Sequence, residues 1–251
     1  MEHNRRNTHY TDFGFKSVKA ELKTGLVHKI FSNVSNKYDL MNDVMSLGLH
    51  RCWKKSFVDS LNLKPNMNIL DLAGGTGDIA LRIASTKQYL HPCVTLCDLT
   101  YDMVLKGRNK AINAGLLDIN WHIGNAEHLP YKDAYFDRVT IAFGLRNVTD
   151  KIQALSEIAR ILKPGGILFC LEFIPPEGAL KTLYDSYSFK IIPLIGEFVA
   201  KDRDSYQYLV ESIRQFPKSE TLQDMILSQG FSTCVYQKWT SGIVAMHQAV
   251  R

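Results

Sequence analysis

The run Asn68-Ile-Leu-Asp-Leu-Ala-Gly-Gly-Thr-Gly-Asp78 constrains this chain more than any other segment. A short apolar stretch ends in an acid, three glycines fall within four positions, and helix formers follow. Such a pattern is a buried strand that turns sharply into a helix, through glycines that let a ligand lie against bare backbone. Asp98 stands 21 residues beyond Gly77, at the end of the next apolar run. An acid ~20 residues past the loop is where dinucleotide-binding folds hold a ribose. The loop alone would say little; the loop with its spaced acid predicts a nucleotide-like cofactor.

Strand-like runs then alternate with amphipathic helices. Strands are predicted at 68–72, 94–98, 119–123, 137–143 and 167–173, with helices at 78–85, 101–114 and 151–162. A helix at 220–229 ending on Gly230 and two strands at 232–238 and 242–249, paired as an antiparallel hairpin, complete the pattern. This order predicts an α/β fold with a doubly wound, mostly parallel seven-stranded sheet. One domain over 1–251 is expected: a frayed end at 1–15, a helical cap at 16–64, a cofactor-binding core at 65–174, a helical insertion at 175–217, and the last helix and hairpin at 218–251.

Composition narrows the setting. The most apolar stretches, 165–174 and 191–200, are interrupted by Glu172, Pro193 and Glu197, short of the ~18 apolar residues a membrane span needs. The polar N-terminal residues show no secretory signal. Five cysteines without a C-x-x-C pair predict buried thiols in a reducing compartment. A net charge of +5 without a Lys/Arg-rich block does not call for nucleic acid, and it suits an anionic membrane surface equally well. Eight histidines without metal-ligand spacing predict no metal site.

The loop admits two cofactors. Gly75-Thr-Gly-Asp-Ile-Ala80 fits the G-x-G-x-x-A of a nicotinamide dinucleotide site. Against that, Asp71 closes the strand before the loop, and Asp78 occupies the helix start that a pyrophosphate would seek. S-adenosylmethionine carries a sulfonium and an ammonium but no phosphate, so acids around the turn favour it. Asp71, Gly74 and Gly75 are thus candidate cofactor contacts. Asp98 either accepts from ribose hydroxyls or caps the next helix, a task open also to Thr100 and Asp102. Asn125, in Gly124-Asn-Ala-Glu127, either accepts from an adenine amino group or serves as a turn residue. Leu162-Lys-Pro-Gly-Gly166 shapes the chain between a helix and a strand.

These segments, with Phe143-Gly-Leu-Arg-Asn-Val-Thr-Asp150, Phe31-Ser-Asn-Val-Ser-Asn-Lys-Tyr-Asp-Leu-Met-Asn42 and Asp202-Arg-Asp-Ser-Tyr-Gln-Tyr-Leu-Val-Glu-Ser212, resemble the class I S-adenosylmethionine-dependent methyltransferases. More narrowly, they are similar to the ubiquinone/menaquinone biosynthesis C-methyltransferase family. The resemblance covers residues 13 to 250. It implies C-methylation of a polyprenyl hydroquinone ring, with cofactor contacts at Thr76, Asp98, Asn125 and Ala126. Ala142 departs from the Ser that many members carry at the fourth strand's end.

Ring methylation needs an electron-rich carbon, and ionising a hydroquinone of pKa ~10 at pH 7 costs about 4 kcal/mol. Arg146 and Asn147, just past the fourth strand, are the catalytic candidates, with Tyr38 in the cap. A guanidinium is no ordinary base, yet it stabilises a developing phenolate or orients a water; its bland alternative is a salt bridge to an acid such as Asp150. Tyr38, Asp39 and Asn42 either cover the substrate or cap and pack a helix. The aromatics from Tyr184 to Phe198 form either plain core or a wall for a prenyl tail. Other readings are methylation of a different apolar acceptor such as a sterol or small phenol, a nicotinamide oxidoreductase, and a non-catalytic cofactor-binding subunit. A cytoplasmic enzyme is expected, peripheral at the inner face of a membrane (in the mitochondrial matrix if eukaryotic), as a homodimer or with other quinone-biosynthesis enzymes.

Overall fold

The computed structural model describes residues 10–34, 42–43, 46–175 and 203–251. Strands β1 (Tyr10–Phe13) and β2 (Lys16–Lys19) form an antiparallel hairpin, followed by helices α1 (Ala20–Val34) and α2 (His50–Ser60). The alternating unit then runs β3 (Asn68–Leu72), α3 (Asp78–Thr86), β4 (Cys93–Asp98), α4 (Tyr101–Asn113), β5 (Ile119–Ile123), β6 (Phe136–Ala142), α5 (Lys151–Ile161) and β7 (Leu162–Phe173). Helices α6 (Arg203–Gln215) and α7 (Ser219–Leu227) precede β8 (Thr233–Trp239) and β9 (Val244–Val250).

The hairpin corrects the expectation of a frayed end through residue 15. Gly14 turns it at φ +57°, and Phe13 stacks on Tyr208 of α6 with ring centroids 4.5 Å apart. Four-residue strands held by a partner almost 200 positions away leave no local signature.

The sheet order is β5-β4-β3-β6-β7-β9-β8, parallel throughout except for β9, which runs antiparallel to both neighbours. The chain passes from β3 to β4 on one side and returns to β6 on the other. That reversal opens a crevice at the carboxyl ends of β3 and β6, where sheets of this kind bind ligands.

Alternate residues of the central strands feed two cores. Ile69, Val94, Leu96 and Phe169 pack with Trp53 and Phe57 of α2, Ile79 and Ile83 of α3, and Tyr206 and Leu209 of α6. On the other face Leu70, Leu72, Val139, Ile141 and Leu168 meet Leu155 and Ile158 of α5, and Leu222 and Ile226 of α7. Strands covered on both faces must be apolar almost continuously, which is why the sequence marks them so clearly. Strand β7 starts at Leu162, five residues earlier than predicted, because Gly165 N–H and Gly166 C=O bond the backbone of Arg251. Thiols at Cys97, Cys170 and Cys234 are buried, while Cys52 and Cys93 are exposed, against the expectation for all five. Most of the predicted insertion, 176–202, lies outside the described residues; from Arg203 the chain is helical. Among the described residues no helix is long and apolar enough to cross a membrane.

Candidate active site

Loops from the carboxyl ends of β3, β4, β5 and β6 meet α1 around a solvent-open cavity of about 100 Å³, at the edge where sheets of this kind bind ligands. Gly75 follows β3, Asp98 ends β4, Asn125, Ala126 and Glu127 follow β5, and Phe143, Gly144 and Asn147 follow β6. Helix α1 closes the cavity with Thr24, Val27, His28 and Phe31.

The glycine loop is tight because its backbone leaves the usual regions. Gly75 (φ 56°) and Gly77 (φ 82°) are left-handed, and a Cβ on Gly77 would lie 2.9 Å from the Trp121 ring. Ala73 (φ 50°) and Phe143 (φ 58°) are left-handed without being glycine, and both line the cavity. Each such residue costs on the order of 1–3 kcal/mol. Strain of this kind at the ends of two adjacent strands marks the crevice as the working part of the fold.

Asp98 joins the loop to the strand beside it. Its Oδ2 accepts from Gly75 N–H at 2.8 Å and its Oδ1 from Thr100 N–H at 2.8 Å. Burial pushes its carboxyl above the ordinary range, and the two amides work against that. Thr100, not Asp98, occupies the N-cap of α4. Each carboxylate oxygen keeps a further acceptor position, on a residue that lines the cavity. Asn125 Oδ1 accepts from Glu127 N–H at 3.0 Å, so the turn role is realised and the residue lines the cavity as well. Glu127 Oε1 in turn accepts from the Thr149 and Asp150 amides at 3.0 and 3.2 Å.

The model of the ubiE/COQ5 methyltransferase family matches residues 17–251. The chain belongs to that family. Two relatives bear the name ubiquinone/menaquinone biosynthesis C-methyltransferase UbiE. That of Shewanella halifaxensis is 46% identical over 247 residues, and that of Edwardsiella ictaluri 49% over 243, each alignment covering 96% of both chains. Among solved structures, a SAM-dependent methyltransferase from Thermotoga maritima superposes with a TM-score of 0.62 at 20% identity, covering 89% of this chain and 99% of that one. The Haemonchus contortus phosphoethanolamine N-methyltransferase 2, in complex with S-adenosyl-L-methionine, gives 0.60 at 14%, covering 79% and 52%. At these identities the likeness concerns the fold, and it is the fold read from the sequence. The protein is an S-adenosylmethionine-dependent methyltransferase.

Several residues expected at the methyltransferase site do not line the cavity. Asp71 is 1% exposed beneath the loop, where Thr140 Oγ1 donates to it at 2.9 Å and Ala80 N–H at 3.1 Å. It does not line the cavity, and neither do Gly74 and Thr76. A Cβ on Gly74 would come 2.7 Å from Leu96, and buried Thr76 accepts from Lys110 Nζ at 3.3 Å. Strand alternation turns Asp71 toward the helices, where it holds Ala80 N–H beneath the loop. Asp78 is neutralised by Lys54 at 2.5 Å, a lysine only 4% exposed. Asp78 is absent from the cavity wall.

Arg146 also differs from its expected place at the pocket mouth. Its guanidinium donates to Glu172 at 2.9 Å and to Phe143 C=O at 2.5 Å, and its own N–H donates to Glu172 at 3.1 Å. The partner is thus Glu172, not Asp150, which caps α5 through Gln153 N–H. Asn147 does line the cavity, and its Oδ1 accepts from Tyr208 OH at 3.1 Å. Tyr38, Asp39 and the aromatics from Tyr184 to Phe198 lie outside the described residues. The contribution of α1 escaped the sequence reading, because its apolar period at Val27 and Phe31 shows a packed face without saying what it packs on.

Burial pushes the Asp71 carboxyl up to about 7, against hydrogen bonds from Thr140 and Ala80. A carboxyl pKa raised above its unfolded value keeps a proton in the fold that the unfolded chain has released. Stability is therefore full below the ordinary carboxylate range and declines as pH rises through about 7. Unfolding curves from pH 5 to 8 should show this decline, and the Asp71→Asn variant should lack it. Parallel curves for the two proteins would refute the assignment.

Proposed function

We propose that the protein transfers the methyl group of S-adenosylmethionine to a ring carbon of a polyprenyl hydroquinone, a benzoquinol or a demethylmenaquinol. The observation that carries this reading is near full-length identity of 46–49% to relatives named for such C-methylation. The cavity fits the cofactor on its own terms. A carboxylate with spare acceptor positions, a bare glycine backbone and apolar walls from Val27, Leu99, Met103 and Ala126 surround it. The helix start that a pyrophosphate would need is occupied by the Asp78–Lys54 pair.

In this reading Asp98 takes the ribose hydroxyls, Asn125 and Ala126 border the adenine, and Gly75 lets the backbone approach. Bound S-adenosylmethionine supplies a methyl on a sulfonium, open to attack by carbon. The new C–C bond forms as the S–CH3 bond breaks, and the ring then loses the proton at the methylated carbon. Asn147, which faces the cavity between Phe143 and Val148, orients the acceptor ring, and Tyr208 fixes the Asn147 amide. Arg146 holds the Phe143–Asn147 turn and places positive charge behind it. Tyr38 belongs to the same proposal as a cover over the substrate.

The test is anaerobic turnover with methyl-labelled S-adenosylmethionine and a short-chain demethylmenaquinol or methoxy-benzoquinol. Label on a ring carbon is the expected product; label on oxygen, or none with either quinol, removes the reading. Because a prenylated acceptor resides in a bilayer, peripheral membrane contact is part of the proposal. Flotation with anionic vesicles should be weak and reduced by salt, and salt-insensitive anchoring would contradict it.

A further inference from the structure

Helix α1 meets the stretch after β6 at two neighbouring points. Lys23 Nζ donates to the Val148 carbonyl at 3.2 Å, and the Thr24 and Thr149 hydroxyls share a hydrogen bond of 3.2 Å. Consecutive residues of one element thus hold consecutive residues of the other, 125 positions away in the chain. One turn further on, α1 lays Val27, His28 and Phe31 on the cofactor cavity. The held stretch lines the same cavity with Asn147, Val148 and Thr149.

Holding a carbonyl with Lys23 costs the fold stability. The residue is 2% exposed, and among the described residues it forms no ion pair. The nearby acids are engaged or set apart. Glu172 is bonded to Arg146, Glu127 accepts the Thr149 and Asp150 amides, Asp150 caps α5, and Asp12 stands on an exposed position of β1. Burial, and after it Lys151, pull the Lys23 ammonium down to about 8. A folded pKa below the unfolded one means that the charged form is disfavoured by folding. The carbonyl does not need Lys23 either, because Lys151 Nζ also donates to it at 3.2 Å. Lys151 opens α5, which continues the same stretch of chain. What Lys23 alone adds is the tie to α1. A buried charge kept without a stability gain marks a functional position.

We propose that Lys23 is a positioning residue for methyl transfer. With Thr24 it locks α1 to Val148 and Thr149, so that the α1 wall over the cofactor and the Asn147 turn beside the acceptor move as one body. Transfer needs the methyl and the ring carbon in line, and a misplacement of about 1 Å costs on the order of 100-fold in rate. The inference rests on the reading that the acceptor ring lies against Asn147.

The test is Lys23→Met in the full-length protein, which keeps the length of the stem and removes the ammonium. Three results are expected together. The melting point equals or exceeds that of wild type, calorimetric affinity for S-adenosylmethionine stays within a few-fold, and single-turnover methylation per bound cofactor slows roughly 10- to 100-fold. In an Asn147→Ala background the same substitution should add little, because it acts through that turn. Unchanged turnover per bound cofactor overturns the proposal, and so does a slowing that adds in full to that of Asn147→Ala. A lowered melting point, or failure to fold, makes Lys23 part of the scaffold and overturns it as well. The threonine pair gives a separate reading. Thr24→Val and Thr149→Val should each slow turnover several-fold, and together no more than either alone; additive slowing assigns the hydroxyls to the bound ligands and removes the lock. Wild-type protein that methylates neither quinol removes the acceptor reading instead. Hydrogen exchange over residues 143–150 then still decides the lock, since it needs no acceptor: faster exchange in Lys23→Met is expected, and unaltered exchange overturns the proposal.

Discussion

Glu172→Ala is expected to lower the unfolding free energy by about 3–5 kcal/mol, the cost of leaving one member of a buried ion pair uncompensated. Glu172 is fully buried, accepts from Arg146 Nη1 at 2.9 Å and Arg146 N–H at 3.1 Å, and also takes Phe173 N–H at 3.2 Å. Burial raises its carboxyl, while Arg146 pulls against that rise. Without it, a guanidinium and two backbone groups lose their acceptor. Replacing both partners with apolar residues, Arg146→Met with Glu172→Leu, should recover most of the loss, because no buried charge then remains. Denaturant unfolding of the single and double variants measures this, and an unaltered midpoint for Glu172→Ala would remove the pair from any account of stability.

The same double variant tests the chemistry. If Arg146 contributes charge to the methyl-transfer step, the restabilised protein should still turn over roughly 100- to 1000-fold more slowly, with cofactor affinity within a few-fold of wild type. Turnover that returns along with stability would make the pair a scaffold for the Phe143–Asn147 turn and nothing more. Single-turnover methylation beside a cofactor titration separates these outcomes.

The core was legible because both faces of the central strands are covered, so their apolar runs carry no competing signal. Ile119–Ile123 matched its prediction even on the sheet edge, and most other elements moved by one or two residues. Asp98 was legible too, as an acid at a strand end spaced correctly from a glycine loop. What escaped was direction and partnership. The sequence places Asp71 beside the loop, but only the pleat shows that its carboxyl points down to Thr140 and Ala80. Arg146 and Glu172 are separated by 26 positions and meet because β6 and β7 are neighbours, a pairing no local window contains. The same holds for the hairpin on α6 and for α1 over the cofactor cavity: each depends on tertiary packing, where local propensity is silent.

Asp98→Ala should weaken S-adenosylmethionine binding by about 1.5–3 kcal/mol, roughly 10- to 150-fold, the scale of charge-assisted hydrogen bonds. Two losses combine. In the proposed reading the carboxylate, which lines the cavity, accepts from the ribose hydroxyls, and it fixes the Gly75 and Thr100 amides at 2.8 Å each. Melting of the cofactor-free protein isolates the second loss, since the ribose plays no part there. Calorimetry on the folded variant then gives the sum. Asp98→Asn offers one oxygen to two amides and should not restore the loop, so it should bind nearly as poorly as the alanine variant. Burial raises the Asp98 carboxyl, and a protonated carboxyl gives up part of its acceptor capacity. Wild-type affinity should therefore fall on acidification, from the ionised form that binds toward the protonated form that does not, while the Asp98→Asn variant lacks that titration. An affinity unchanged in folded Asp98→Ala would leave the loop as the only thing Asp98 holds, and the ribose would have to find its acceptor on another residue of the cavity wall.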